Sequence, residues 1–224
     1  MKIISKSIIL IFSILILSCN TEKTKTEYYS NGNIMALKNY KNGNLHGISE
    51  YFYSNGNTQS LFTYVDGELN GISKQFYLNG IEKEIYFYKD DKKNGEAKIY
   101  FENGKLARKE NYISDSLHGD FKSFHENGKI KIQGFYHLGK FDSVWTYYDT
   151  YGREVGKGDF KNGSGIQKAF YYNNQLKREI HYKNNLKHGP DIKYNKEGDT
   201  IEVFIYENDS FVRKEEVKQS PTIP

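Results

Sequence analysis

Gly47-Ile48-Ser49-Glu50-Tyr51-Phe52-Tyr53-Ser54-Asn55-Gly56-Asn57-Thr58-Gln59-Ser60-Leu61-Phe62-Thr63-Tyr64-Val65-Asp66-Gly67 is two short aromatic and β-branched runs separated by Asn55-Gly56 and closed by Asp66-Gly67. Asn-Gly and Asp-Gly between such runs are the strongest short-range hairpin signal in a sequence, because both central residues of a two-residue type I′ turn need positive φ. Outward from this stretch the same pattern returns every 24 residues, with Gly at 32, 56, 80, 104, 128, 152 and 198 and Asn174 in the remaining copy. Units therefore run 23–46, 47–70, 71–94, 95–118, 119–142, 143–164, 165–188 and 189–212. The sixth alone departs from 24, being two residues short at Asn162-Gly163-Ser164-Gly165.

Within each unit the sixth position is aromatic, from Tyr28 and Phe52 to Phe170 and Tyr194, and so is the eighteenth, from Tyr40 to Tyr206. Two turns per unit predict two antiparallel strands per unit and about sixteen in all, each pairing only with its neighbours. The expected fold is all-β: an elongated single-layer antiparallel meander built from about eight 24-residue β-hairpin repeats. Composition agrees, since 16% of the 224 residues are aromatic and only 3 are Pro. A formal charge of +4 is too small to make nucleic acid a partner. With 1 Cys there is no intramolecular disulfide.

The first residues are an address. Lys2 and Lys6 precede the apolar run Ile8 to Leu17, and Ser18-Cys19 is followed by polar Asn20-Thr21-Glu22-Lys23. That run is about half of the roughly 20 residues a spanning helix needs, which favours an export signal. Ile16-Leu17-Ser18-Cys19 resembles the lipobox of bacterial lipoproteins, although Leu17 stands where the commonest pattern has a small residue. The resemblance implies cleavage after Ser18, acyl chains (palmitate among them) on Cys19, and anchoring in the bacterial cell envelope. Asn20 after the cysteine points to the outer membrane. The expected organisation is a signal peptide over 1–18, a lipidated N-terminus and tether over 19–26, the repeat domain over 27–212, and a disordered tail over 213–224.

Phe52-Tyr53-Ser54-Asn55-Gly56, Tyr100-Phe101-Glu102-Asn103-Gly104 and Tyr40-Lys41-Asn42-Gly43-Asn44-Leu45-His46-Gly47 resemble the MORN repeat in its bacterial variant. The resemblance covers nearly the whole repeat region. Bacterial proteins of this kind often carry a YwqK-like label as antitoxin components, so it also implies an antitoxin or immunity-type role against a dedicated toxin. MORN repeats have been linked to phospholipids too, which makes an anionic-lipid-binding module a third reading.

If every turn is a two-residue loop, alternation sorts the side chains onto two faces. Face one takes even positions of the first strand and odd positions of the second; it is the basic face, with Lys74, Lys98, Lys122 and Lys168. Face two carries about twice as many aromatics, among them Tyr53, Tyr77 and Tyr171 and the candidate binding surface of Tyr64, Tyr88, Tyr112, Tyr136 and Trp145. Glu82 and Glu84 fall on face two as well. An apolar surface of this extent marks an interaction site; the partner expected is a protein.

Chemistry is missing from this pattern. His46, His118 and His188 share one repeat position and are strung along the array, while His125, His137 and His181 occupy three others. Asp90-Asp91 sits in a turn, and the glycines mark hairpins and open no helix. The residues thus predict no catalytic constellation, no metal site and no cofactor. The function expected is a non-catalytic, lipid-anchored envelope protein whose sheet is a binding or scaffolding surface.

Overall fold

The computed structural model describes residues 21–217, and all regular structure in that span is β. The signal segment and Cys19 lie outside the described residues. Strands follow one another in a single antiparallel meander from Glu22–Tyr28, which pairs only with Ile34–Lys41, to Ser210–Glu215, which pairs only with Thr200–Glu207. The sheet is therefore open, with a free edge at each end. Both ends differ from the expected boundaries. Residues 22–26 belong to the first strand and not to a tether, and Arg213, Lys214 and Glu215 are paired and not a tail.

The two turns of each unit are of different kinds. Asp66 and Gly67 have φ of +51° and +98°, the two-residue type I′ turn that the sequence signals. The Asn55-Gly56 turn is instead a three-residue loop: Tyr53 N–H donates to Asn57 O at 2.8 Å and Gly56 N–H to Tyr53 O at 2.9 Å, and Gly56 but not Asn55 has positive φ. This is a type I turn followed by a Gly bulge. Asn55 acts through its side chain, whose Oδ1 accepts the Asn57 N–H at 3.0 Å.

That correction leaves the register intact. Phe52 pairs with Thr58 beside the turn, but Tyr51 pairs with Ser60, so Gln59 is passed over. One residue added in the loop and one in the strand cancel, and the body of the hairpin pairs as a two-residue loop would require. The inversion is local. Glu82, which pairs with Phe76, lies on face one, whereas Glu84, which pairs with Gln75, stays on face two.

A larger irregularity separates the units. Tyr64 pairs with Leu69 but Phe62 with Ser73, so Thr63 alone faces Asn70, Gly71 and Ile72. Gly71 takes φ of +121° there, and Ser143 takes +59° at the same repeat position. Two extra residues restore the alternation that one would invert. The short sixth unit explains itself: from Lys161↔Ser164 through Phe160↔Gly165 to Gly156↔Ala169 the pairing runs without a shift. Its two missing residues are the bulge.

Both edges of the meander are stapled from unit to unit. On one side Tyr29, Tyr53, Tyr77 and Tyr171 each donate a phenol hydrogen bond to the backbone oxygen of Phe52, Phe76, Tyr100 and Tyr194 at 2.6–2.8 Å. His125 Nε2 reaches Tyr148 O in the same way at 3.0 Å. These rings are thus intramolecular ties. On the other side successive turns bond to one another, Gly67 N–H to Leu45 O and Asp91 N–H to Leu69 O.

The core lies on face two. Among the buried side chains of the described residues Ala36, Ser49, Ser60, Ser73, Tyr86, Ala97, Glu110, Trp145, Phe160, Ile180 and Asp191 face that way, and only Thr146 faces the other. A flat single layer leaves its two faces equally wet. Bulges sharpen strand twist and bend a sheet, and an array bent toward face two brings neighbouring units' side chains over one another.

Candidate interaction surface

The register places Tyr64, Tyr88, Tyr112 and Tyr136 on the same face as Trp145, and Lys74, Lys98, Lys122 and Lys168 on the opposite one. The position-18 rings do not form an isolated ladder; intervening rings join them. Tyr86 packs edge-on to Tyr88 and Tyr112 at centroid distances of 6.4 and 6.1 Å. Trp145 is the hub further along, at 4.9 Å from Tyr136, 4.9 Å from Phe141 and 5.4 Å from Phe121. Phe141 then leads to Phe160 at 5.3 Å, and Phe160 to Tyr182 at 5.7 Å.

Burial changes what these residues can do. Trp145 is 3% exposed, and its indole N–H is used by Phe135 O at 3.1 Å and Asp142 O at 3.2 Å. It is a core residue, which corrects its expected place on a binding surface. Tyr64, Tyr88, Tyr112 and Tyr136 are half-buried, and desolvation pushes all four phenols above their ordinary pKa.

Several charges on this inner face are matched. Arg108 Nε lies 2.7 Å from Glu110, which is 2% exposed, and Lys93 Nζ sits 3.6 Å from the Tyr86 centroid. Arg178 grips Asp191 through Nε and Nη2 at 2.7 and 2.6 Å. Burial alone would raise the Asp191 carboxyl, but the Arg178 hydrogen bonds and charge, with Lys187 beside them, hold it below the usual range. The Arg178 pair satisfies a carboxylate that burial would otherwise leave dry and unpaired, whereas Arg108 offsets the charge of Glu110 without completing its hydrogen bonds.

Face one is the open face, and much of its charge is paired too. Lys74 meets Glu82 at 2.6 Å and Lys168 meets Glu179 at 3.5 Å. Glu96 bridges Lys109 and Lys98 at 2.6 and 3.0 Å, and hydrogen bonds from the two, Lys109 first, hold its carboxyl low. Lys122 has no acidic partner among the described residues. Between these ion pairs run exposed apolar side chains: Ile48 at 54%, Val144 at 53%, and the cross-strand pair Ile72 and Phe87. Where the bulge is missing, Val144 and Ile166 with Lys157, Asp159 and Lys168 line a shallow depression of about 530 Å³.

The sequence reading missed this row. Its signal was present, since Ile48, Ile72, Val144 and Ile166 share the second position of their units, but nothing local says which face a long sheet will curve toward. Among the described residues no three His, Cys, Asp or Glu side chains gather where they could hold a metal ion.

An open, repeat-built β-meander with a stapled inner core is the class of protein that this geometry defines. The family model described as MORN repeat variant matches residues 22–42, 45–66, 93–114, 117–137 and 164–184, so five of the units match it. A comparison with curated proteins finds no match. Among solved structures, the one titled "Crystal Structure of TcdB2-TccC3-TEV" is similar at 10% identity with a TM-score of 0.23, over 82% of this chain and 12% of that one. The present chain thus spans about an eighth of that chain's length.

Proposed function

We propose that this protein is a non-catalytic, lipid-anchored binding or scaffolding module of the bacterial cell envelope, whose outer face engages a protein partner. The observation that carries the reading is the exposed row of Ile48, Ile72, Phe87 and Val144 on the face opposite the buried core. Exposed apolar side chains in a repeating row, set among charges, have the composition of a protein interface. The inner aromatic face, chosen from sequence, has spent most of its apolar area on the fold itself. The ion pairs of Lys74, Lys98 and Lys168 offset part of the positive charge on this face, which weighs against an anionic membrane surface as the partner.

Cys19 supplies the anchor, and the strand beginning at Glu22 shortens the tether to three residues, at most about 10 Å of chain. The repeats would then stand directly on the membrane. The test compares capture from envelope extracts by the wild type, by Ile72→Asp with Phe87→Asp, and by Tyr88→Ala with Tyr112→Ala. Loss of the captured protein with the first pair alone is expected; loss with the second pair alone would return the site to the inner face. Labelling with an acyl-chain analogue should mark the wild type and spare Cys19→Ala, and equal labelling would remove the anchor.

A further inference from the structure

The Asn-Gly dipeptides that set the repeat are also a chemical weakness. The backbone nitrogen of the glycine can attack the asparagine Cγ, forming an N–C bond and expelling the side-chain nitrogen as ammonia; water then opens the resulting succinimide to Asp or isoaspartate. The step needs no reactant beyond water. It needs a glycine amide free to lose its proton and an asparagine side chain free to swing toward it.

The type I turns deny both. In Asn31-Gly32, Asn55-Gly56, Asn79-Gly80, Asn103-Gly104 and Asn127-Gly128 the glycine N–H donates to the backbone oxygen of Tyr29, Tyr53, Tyr77, Phe101 and His125 at 2.8–3.0 Å. In the same turns the asparagine Oδ1 accepts the N–H two residues on, at 3.0 Å each time. The Asn162-Gly163 glycine is tied to Phe141 O at 2.7 Å. Gly71 and Gly95 lie in strands, paired with Tyr88 and Tyr112.

Asn42-Gly43 differs. It is a type I′ turn in which Asn42 uses its backbone N–H, to Thr21 O at 3.0 Å, but its side chain makes no hydrogen bond among the described residues, and neither does the Gly43 amide. Both residues are exposed, with nothing within 4 Å of where a Gly43 β-carbon would stand. We infer that Asn42 is a site of spontaneous deamidation in the folded protein, which the Asn-Gly turns of the other edge resist. The product places a new carboxylate, and in the isoaspartate form an extra backbone atom, in the turn that joins the first two strands, beside the proposed anchor.

The test incubates the full-length protein at mildly alkaline pH, native and in urea, and follows each Asn-Gly peptide by mass and by the chromatographic split of Asp from isoaspartate. Two missing hydrogen bonds predict that Asn42 converts about tenfold or more faster than Asn55, Asn79 and Asn103 in the native protein, and that the rates converge in urea. Equal native rates would overturn the inference. An advantage for Asn42 that persisted in urea would overturn it also, because it would belong to the local sequence and not to the fold.

Discussion

Gly134 lies under the indole of Trp145, where any β-carbon would overlap the ring carbons Cδ2, Cε2 and Cε3. The pairing is an exchange of volume. Elsewhere the inner face sets a large side chain at this repeat position, such as Phe62 or Tyr86, against a small one on a neighbouring strand, here Ser73 for both. Around Trp145 the order is reversed: Phe121 pairs with Gly134, and Trp145 with Gly158.

Gly134→Ala should therefore destabilise although it adds only a methyl group. Overpacking of a filled core costs about 1–3 kcal/mol, and the ring cannot retreat without giving up Tyr136 and Phe141. Thermal melts of Gly134→Ala, Trp145→Leu and the double variant check this. The double variant should lose less than the two single losses added together, and strict additivity would show that the contact is not the cause.

The bulge between units makes a prediction about length. Deleting Leu69 and Asn70 reproduces the junction that the sixth unit already has, so it preserves which side chains face the core. Deleting Asn70 alone inverts the alternation from that point on. The first variant should keep a cooperative melt and native-like hydrogen-exchange protection in the strand Glu68–Phe76; the second should lose both. Equal damage would mean that the bulge itself, and not face parity, is essential.

The phenol staples predict a loss and a gain. Tyr53→Phe removes the bond to Phe76 O and should cost about 0.5–1.5 kcal/mol. Phe101 occupies the same repeat position without a hydroxyl. Phe101→Tyr should supply the missing tie to the next unit and raise the melting temperature, and a fall would show that this edge has no room for it.

Alkaline pH should unfold the sheet through its inner face. Desolvation pushes Tyr64, Tyr86, Tyr88, Tyr112, Tyr136, Tyr147 and Tyr182 above the ordinary phenol value. A raised folded pKa means that the fold favours the neutral phenol. Its contribution is complete below about pH 10 and is lost as pH climbs through the folded values. Phenolate absorbance and loss of the β-sheet signal should rise together above that pH. Tyr112→Phe, which removes one group that must ionise, should move the midpoint upward; an unchanged midpoint would exclude Tyr112 from the transition.

The sequence by itself determined the hairpin unit, its period, the meander order and the face to which each body residue belongs. Those properties are local: a turn sets register, alternation sets the face, and the inserted residues around Gln59 and Gly71 either cancel or come in twos, so parity survives them. It also showed the short sixth unit without its reason, because a two-residue gap reads as a gap until Lys161 is seen pairing straight through to Ala169's strand. Only the tertiary structure decided which face became core, why Tyr53 is a tie and Trp145 a hub, and why Ile48 and Val144 are left in the open. Those depend on how the side chains of neighbouring units lie over one another across the bulged junctions, which is written in no single unit.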